Sequence, residues 1–326
     1  MTSDSKQPLV SVGFAVYNRP ELLRLAIESI VQQTYENLEI IVSDDCSPGD
    51  ETRAVVEEFM EKDARIQYCR QEKNIGEAEN MKFVLSKAKG EYFMWAAEDD
   101  LWEEMFVETG INALLADNFY QAWFCSFDVI DTFGRVVQEL PGLSFLTSTS
   151  DRRKNIIRYL RTSGNMGKDI MTMGIYETQV LTETVEHYFI CGKGVRNRHG
   201  CDSAFNIAFL ARYNILITDD ILFHNSVTRR SVPDEKEKIV LLSRKDNPYR
   251  GVSLHRGTFN PKKIITVIRE HYRAVKGTQY TKMVVLTLLL IFPVAIKNYL
   301  IIRANRKVHS VTKRIKPLIQ SLRKTY

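Results

Sequence analysis

Two acidic runs are the first residues in this 326-residue chain that could do chemistry together: Asp44-Asp45 and, about 55 positions later, Glu98-Asp99-Asp100. Carboxylates brought close to one another repel, which is costly unless a cation or a hydrogen-bonding ligand lies between them. A hard divalent ion such as Mg²⁺ or Mn²⁺ takes oxygen ligands and commonly shares them with the phosphates of a substrate. The two runs therefore point to a metal-assisted site for a phosphorylated ligand. A plainer role exists for each residue taken singly, because Asp often caps a helix or stabilises a turn.

What must position these residues is an alternation of strands and helices. Val10 to Val16 reads as a buried strand ending at the turn-prone Tyr17-Asn18-Arg19-Pro20. Pro20 then opens a helix with Leu22, Leu23, Ala26, Ile27 and Ile30 on its apolar stripe. Leu38 to Val42 is a second strand and runs into Asp44-Asp45. Glu51 to Lys62 is a helix, Arg65 to Cys69 a strand, Glu77 to Ala88 a helix. Tyr92 to Ala96 is a fourth strand and runs into Glu98-Asp99-Asp100. Helix is expected over Trp102 to Asp117, and strand over Phe119 to Ile130 with a return strand after the turn at Thr132 to Arg135. Further on, the pattern predicts a helix at Asp151 to Arg161, a strand at Ile170 to Tyr176 and helices at Thr178 to Glu186 and Asp202 to Arg212. Two short strands follow, Ile215 to Asp219 and Ile221 to His224. Such alternation implies a mostly parallel α/β sheet with covered faces, in which ligands bind beyond the carboxyl ends of the strands.

Several segments in order carry a family resemblance. Val10-Ser11-Val12-Gly13-Phe14-Ala15-Val16-Tyr17-Asn18-Arg19-Pro20-Glu21-Leu22-Leu23, Gln33-Thr34-Tyr35, Leu38 through Ser47, Asn74-Ile75-Gly76, Ala88-Lys89-Gly90-Glu91-Tyr92 and Glu98-Asp99-Asp100-Leu101-Trp102 together resemble a family 2 glycosyltransferase. The match covers about the first 130 residues. It implies the GT-A fold, a Rossmann-like, mostly parallel sheet with helices on both faces. It also implies an inverting transfer from a nucleotide-sugar donor to a glycan or lipid-linked acceptor. By that resemblance Ala15, Val16, Tyr17 and Arg19 line the nucleotide pocket, and Asp45 reads the base with Asp44 adjacent. Glu98 and Asp99 stand at the diphosphate, and Asp100 is the direct metal ligand. Ala97 departs from the family's usual Asp-x-Asp-Asp run, with Glu98 positioned to compensate. The general base of such a displacement is a carboxylate at the start of a later helix, which falls on Asp202. His224 and Arg229 are candidates for contact with the diphosphate or metal.

The bulk numbers set limits on partners. Five scattered cysteines without CxxC spacing argue against a zinc site and suggest a reducing compartment. Met1 to Pro8 is polar, so no signal peptide is expected. The net charge of +5 divides unevenly: no acid follows Glu270, whereas twelve Lys or Arg do, leaving 33 basic and 40 acidic residues in the first 270. An acidic body does not suit nucleic acid; a basic tail seeks an anionic surface. Within the tail, Met283 to Ile296 is an apolar run of 14 residues, short of the ~20 needed to span a bilayer. The expected layout is a catalytic domain over 1–230, split near 130 into nucleotide and acceptor halves, a linker with a helical segment over 231–270, and a membrane-associating tail over 271–326. That places the protein in the cytoplasm, peripherally on a membrane. Two competing functions are a nucleotidyltransferase, disfavoured by the lack of a Gly-rich phosphate loop near the first strand, and a non-catalytic nucleotide-sugar-binding protein, which only Ala97 favours.

Overall fold

The computed structural model describes residues 7–131, 134–140, 143, 146, 150–162, 167–192, 201–226 and 272–284. Its centre is a sheet in the order β3-β2-β1-β4-β8-β6-β9-β5, with β7 paired to β6. The strands are β1 (Val10–Val16), β2 (Leu38–Asp44), β3 (Ile66–Arg70), β4 (Tyr92–Ala96), β5 (Leu101–Trp102), β6 (Ala122–Ile130), β7 (Val136–Leu140), β8 (Ile175–Glu177) and β9 (Ile215–Ser226). The helices are α1 (Pro20–Val31), α2 (Glu51–Met60), α3 (Glu77–Lys87), α4 (Phe106–Ala116), α5 (Arg152–Arg161), α6 (Thr178–Gly192) and α7 (Cys201–Leu210). Strands β3, β2, β1 and β4 are parallel, as are β6 and β9; β8 joins the two sets by antiparallel pairing to β4 and β6.

Parallel strands covered on both faces need apolar side chains on both faces. In β1, Val10, Val12, Phe14 and Val16 are buried on one side. On the other side Gly13 leaves room for α3: a Cβ there would lie 2.3 Å from Val84 Cγ1. Helix α1 starts at Pro20, whose fixed φ suits the first turn. Leu23, Ala26, Ile27 and Ile30 are its buried residues, at the spacing of one helical face.

Four expectations change. The helix foreseen from Trp102 begins only at Phe106, because Leu101–Trp102 pairs antiparallel with β9 and Trp102 packs against Phe14 and Phe223. The strand foreseen from Ile170 is mostly a 3-10 turn, Lys168–Met173, and only Ile175–Glu177 joins the sheet. The two short strands after Ile215 are one, carried past the polar Asp219-Asp220 by its long pairing with the fully buried β6. Helix α6 runs on to Gly192. The start of the basic tail is packed on the domain: Ala274, Val275 and Val284 are fully buried, and Arg212 Nη1 donates to the Ala274 carbonyl at 2.7 Å. The remainder of the apolar run, the basic residues beyond it and the 231–270 segment lie outside the described residues. Among the described residues no helix is long and apolar enough to cross a membrane.

Candidate functional site

A cleft of about 780 Å³ opens at the carboxyl ends of β1, β2 and β4. The sequence brings seven foreseen residues to its wall: Ala15, Val16, Tyr17, Arg19, Asp45, Glu98 and Asp99. The chain leaves β1 through Asn18, whose φ of 56° is left-handed, a conformation Asn tolerates. The Asn18 N–H donates to Ser47 Oγ at 2.8 Å, tying the β1 exit to the β2 exit. Tyr17, half exposed, stands at the rim, and its N–H donates to Glu98 Oε2 at 2.9 Å.

The two acidic runs are treated differently by the fold. Asp44, the last residue of β2, accepts from the Tyr68 hydroxyl and the Ser47 N–H, both at 2.8 Å, and does not line the cleft. Asp45 lines it and clasps the next loop: Oδ1 accepts from the Ile75 N–H at 2.6 Å and Oδ2 from the Gly76 N–H at 2.8 Å. One carboxylate thus fixes the left-handed Gly76 at the start of α3, leaving further acceptor lone pairs on both oxygens.

Glu98, Asp99 and Asp100 form a graded set. Arg19 places its guanidinium between the first two, with Nε 3.3 Å from Glu98 and Nη1 2.9 Å from Asp99. Burial nevertheless pushes Glu98 up to about 7, against the Tyr17 N–H and Arg19. Burial also raises Asp99, opposed by Arg19. Asp100 is 2% exposed and sits behind the cleft wall. Its Oδ1 accepts from the Ser226 N–H at 2.8 Å and from Asn225 Nδ2 at 3.0 Å. Burial, reinforced by the charge of Asp99, lifts its carboxyl to about 7. A buried carboxylate met only by neutral donors is a strained charge, and a hard cation shared with bound phosphates would relieve it. The donor set therefore fits Mg²⁺ or Mn²⁺ bound partly by its ligand. Among the described residues no three His, Cys, Asp or Glu side chains form a metal cage by themselves.

The remaining candidates fall elsewhere. His224 on β9 has both ring nitrogens engaged, Nδ1 by Asp128 at 2.7 Å and Nε2 by Glu103 at 2.8 Å. Burial alone would lower its pKa, but the hydrogen bonds to Asp128 and Glu103 outweigh that and raise it. His224 immediately precedes the Asn225-Ser226 pair that holds Asp100. Asp202 lies in the first turn of α7 and is partly exposed. Arg229 lies outside the described residues.

Sequence reasoning left several cleft residues without a role: Asn74, Gly76, Asn80, Trp95 and Met173. Asn80 was findable, since a polar residue on the apolar face of α3 demands a partner; its amide donates to the Ser43 carbonyl at 2.8 Å. Trp95 packs edge-on against Phe93 and forms part of the cleft wall as well as the core. Met173 gave no signal, because it arrives from the 3-10 turn read as a strand.

Residues 11–183 match the model for glycosyl transferase family 2, more than half the chain, and the protein belongs to that family. It is 36% identical over 132 residues to an uncharacterised glycosyltransferase of Rickettsia typhi, covering 40% of each chain. It is 38% identical over 101 residues to the glycosyltransferase GlyG of Streptococcus pneumoniae, covering 31% of this chain and 33% of that one. The chain thus spans well under half the length of these relatives. Among solved structures, residues 1–349 of S. aureus TarS in complex with UDP superpose with a TM-score of 0.57 at 15% identity, over 86% of this chain and 70% of that one. At that identity the likeness speaks for the fold, the GT-A arrangement.

Proposed function

We propose that the protein transfers a sugar, with inversion, from a nucleotide-linked donor to a glycan or lipid-linked acceptor. The observation that carries this reading is the convergence of Tyr17, Arg19, Asp45, Glu98 and Asp99 on one cleft at the ends of β1, β2 and β4. Its rim offers an aromatic face in Tyr17 and unspent acceptors on Asp45 for a nucleobase. Its floor offers the carboxylates and Arg19, whose fork suits phosphate. We assign the donor as UDP-linked, as one solved structure of the same fold, S. aureus TarS, was determined with UDP.

In this reading Asp100, with Asp99 and Glu98 before it, holds Mg²⁺ or Mn²⁺, which when bound neutralises charge on the diphosphate leaving group. Arg229 and His224 are the further candidates for that diphosphate. Asp202 takes the proton from the acceptor hydroxyl as that oxygen attacks the anomeric carbon and the bond to the diphosphate breaks. The reaction serves polysaccharide synthesis at the cytoplasmic face of a membrane, to which the basic C-terminal tail adheres by charge.

The test is a thermal-shift panel of nucleotide sugars with and without Mn²⁺ on wild type and Asp100→Ala. A ligand bound only by the folded state raises its melting temperature by mass action. UDP-sugars are expected to give the largest shift, increased by Mn²⁺ in wild type alone. No shift with any nucleotide sugar overturns the proposal; an equal Mn²⁺ response in Asp100→Ala moves the metal ligand elsewhere.

A further inference from the structure

Helix α5 differs in charge from every other described helix. It holds five cations in ten residues, Arg152, Arg153, Lys154, Arg158 and Arg161, and no acid. Each of α1 to α4, α6 and α7 contains at least one Asp or Glu and at most two Lys or Arg. The folding of α5 does not call for this. Its buried residues are Asn155, Ile156, Tyr159 and Leu160. Arg158 and Arg161 in the last turn suit the helix dipole, but Arg152, Arg153 and Lys154 stand in the first turn, where the dipole opposes positive charge.

The helix is also aimed. Arg152 Nε donates to Asn214 Oδ1 at 3.0 Å, just past the end of α7. Seven residues on, the Tyr159 hydroxyl, which donates to Asp169, accepts from Asn206 Nδ2 at 3.1 Å, one turn from Asp202. Helix α5 therefore runs antiparallel beside α7, and its C-terminal end lies by the first turn that carries Asp202. Arg153, Lys154 and Arg161 are exposed, and Arg153 and Arg161 make no ion pair among the described residues. Lys154 and Arg161, seven apart, share one face about 10 Å apart along the axis.

We propose that this exposed cationic face of α5 is a docking surface for an anionic glycan, which it leads toward Asp202 as acceptor. The inference rests on the transferase reading above and narrows its acceptor class. A helix lying on a membrane needs its apolar side free for the bilayer; that of α5 is already buried in the domain. Repeated carboxylates along an extended sugar chain match a row of separated, exposed cations, which attract them without deep desolvation.

The test uses the full chain and a triple variant, Arg153→Gln, Lys154→Gln, Arg161→Gln, whose changes all fall at exposed positions. Binding is measured to polygalacturonate oligosaccharides, to neutral dextran of equal length, and to vesicles containing anionic phospholipid. Wild type is expected to bind polygalacturonate but not dextran, more weakly as salt screens the charges. The triple variant is expected to lose roughly tenfold in that affinity, since exposed pairs contribute little one by one but add up, while its nucleotide binding is unchanged. Equal polygalacturonate affinity in both proteins overturns the proposal, as does dextran binding as tight as polygalacturonate binding. A variant that loses only vesicle binding makes α5 a membrane surface and overturns it too. Polygalacturonate binding that depends on α5 in a protein blind to every nucleotide upholds the surface and overturns the transferase reading instead.

Discussion

The half built on β1 to β4 and the half built on β5 to β9 solve the problem of placing polar groups in different ways. In the first, carboxylates at strand ends are held mostly by backbone N–H groups of neighbouring turns: Asp44 by Ser47, Asp45 by Ile75 and Gly76, Glu98 by Tyr17. In the second, side chains from elements far apart in sequence hold one another: His224 bridges Asp128 and Glu103, and Tyr159 joins Asp169 to Asn206. Backbone clasps depend on local turn geometry and leave carboxylate lone pairs for a ligand. Side-chain networks tie elements that are distant in sequence and serve to fix them. The first arrangement suits a pocket that receives a small charged ligand, the second a rigid frame.

The largest effect is expected from the second half. Asp202→Asn should lower sugar transfer by roughly 10²–10⁴-fold, the usual contribution of a general base, and leave nucleotide affinity intact in calorimetry. Transfer near the wild-type rate would relocate the base and erase the functional division between halves.

Ending the chain after Glu270 removes Val275 and Val284 from the core and the Ala274 partner of Arg212, whereas ending it after residue 284 removes neither. The shorter chain should be less stable by roughly 3 kcal/mol or more in denaturant unfolding, from the burial of two valines alone. Equal midpoints would detach the tail from the second half.

Gly13 and Gly110 compare packing across the halves. A Cβ would lie 2.3 Å from Val84 Cγ1 in the first case and 2.5 Å from Trp123 in the second. Each change to Ala should cost about 1–3 kcal/mol by overpacking, read as a lower melting temperature. Only Gly13→Ala, on the strand that leads into the cleft, should also weaken nucleotide binding.

Asp45→Ala should weaken nucleotide binding by about 1–3 kcal/mol, the cost of leaving the base without its partner. Unchanged affinity would make Asp45 a purely local clasp.

The smallest effect is on pH. Glu98 and Asp100 keep protons up to about 7 in the fold, against ordinary values of 4.5 and 3.8. The native state therefore binds more protons than the unfolded chain between those limits, so stability falls as pH rises through that window. His224, with its raised pKa, acts in the same direction. Without ligand the melting temperature should be a few degrees lower near pH 8 than near pH 5. Glu98→Gln should flatten the slope, and Mn²⁺ should restore stability at the higher pH. A profile that rises with pH would show that the cleft carboxylates are ionised and paired throughout.

The legibility of the two halves follows the same division. Strand β1, the Pro20 start of α1 and strand β4 lie where the apolar pattern puts them, since each is an unbroken local signal. Asp45, Glu98 and Asp99 reach one cleft because parallel strands of known order end on one edge. Trp102 of β5 reads as helical in the sequence because nothing near it announces its partner Phe223, about 120 residues away. The 3-10 turn before β8 reads as strand because its Met and Ile content is apolar either way, and β9 reads as two strands because Asp219-Asp220 interrupts its apolar pattern and only pairing with β6 carries it through.

The amino-acid sequence by itself determined the parallel sheet, the family and the acidic runs at the strand ends, because those rest on contiguous periodicity and on turn residues that act locally. Only the tertiary structure decided that Asp100 is walled in behind Asp99, that both nitrogens of His224 are taken by carboxylates, and that α5 lies beside α7. Each of those depends on side chains joined across long stretches of chain, and no local pattern encodes which distant group will arrive.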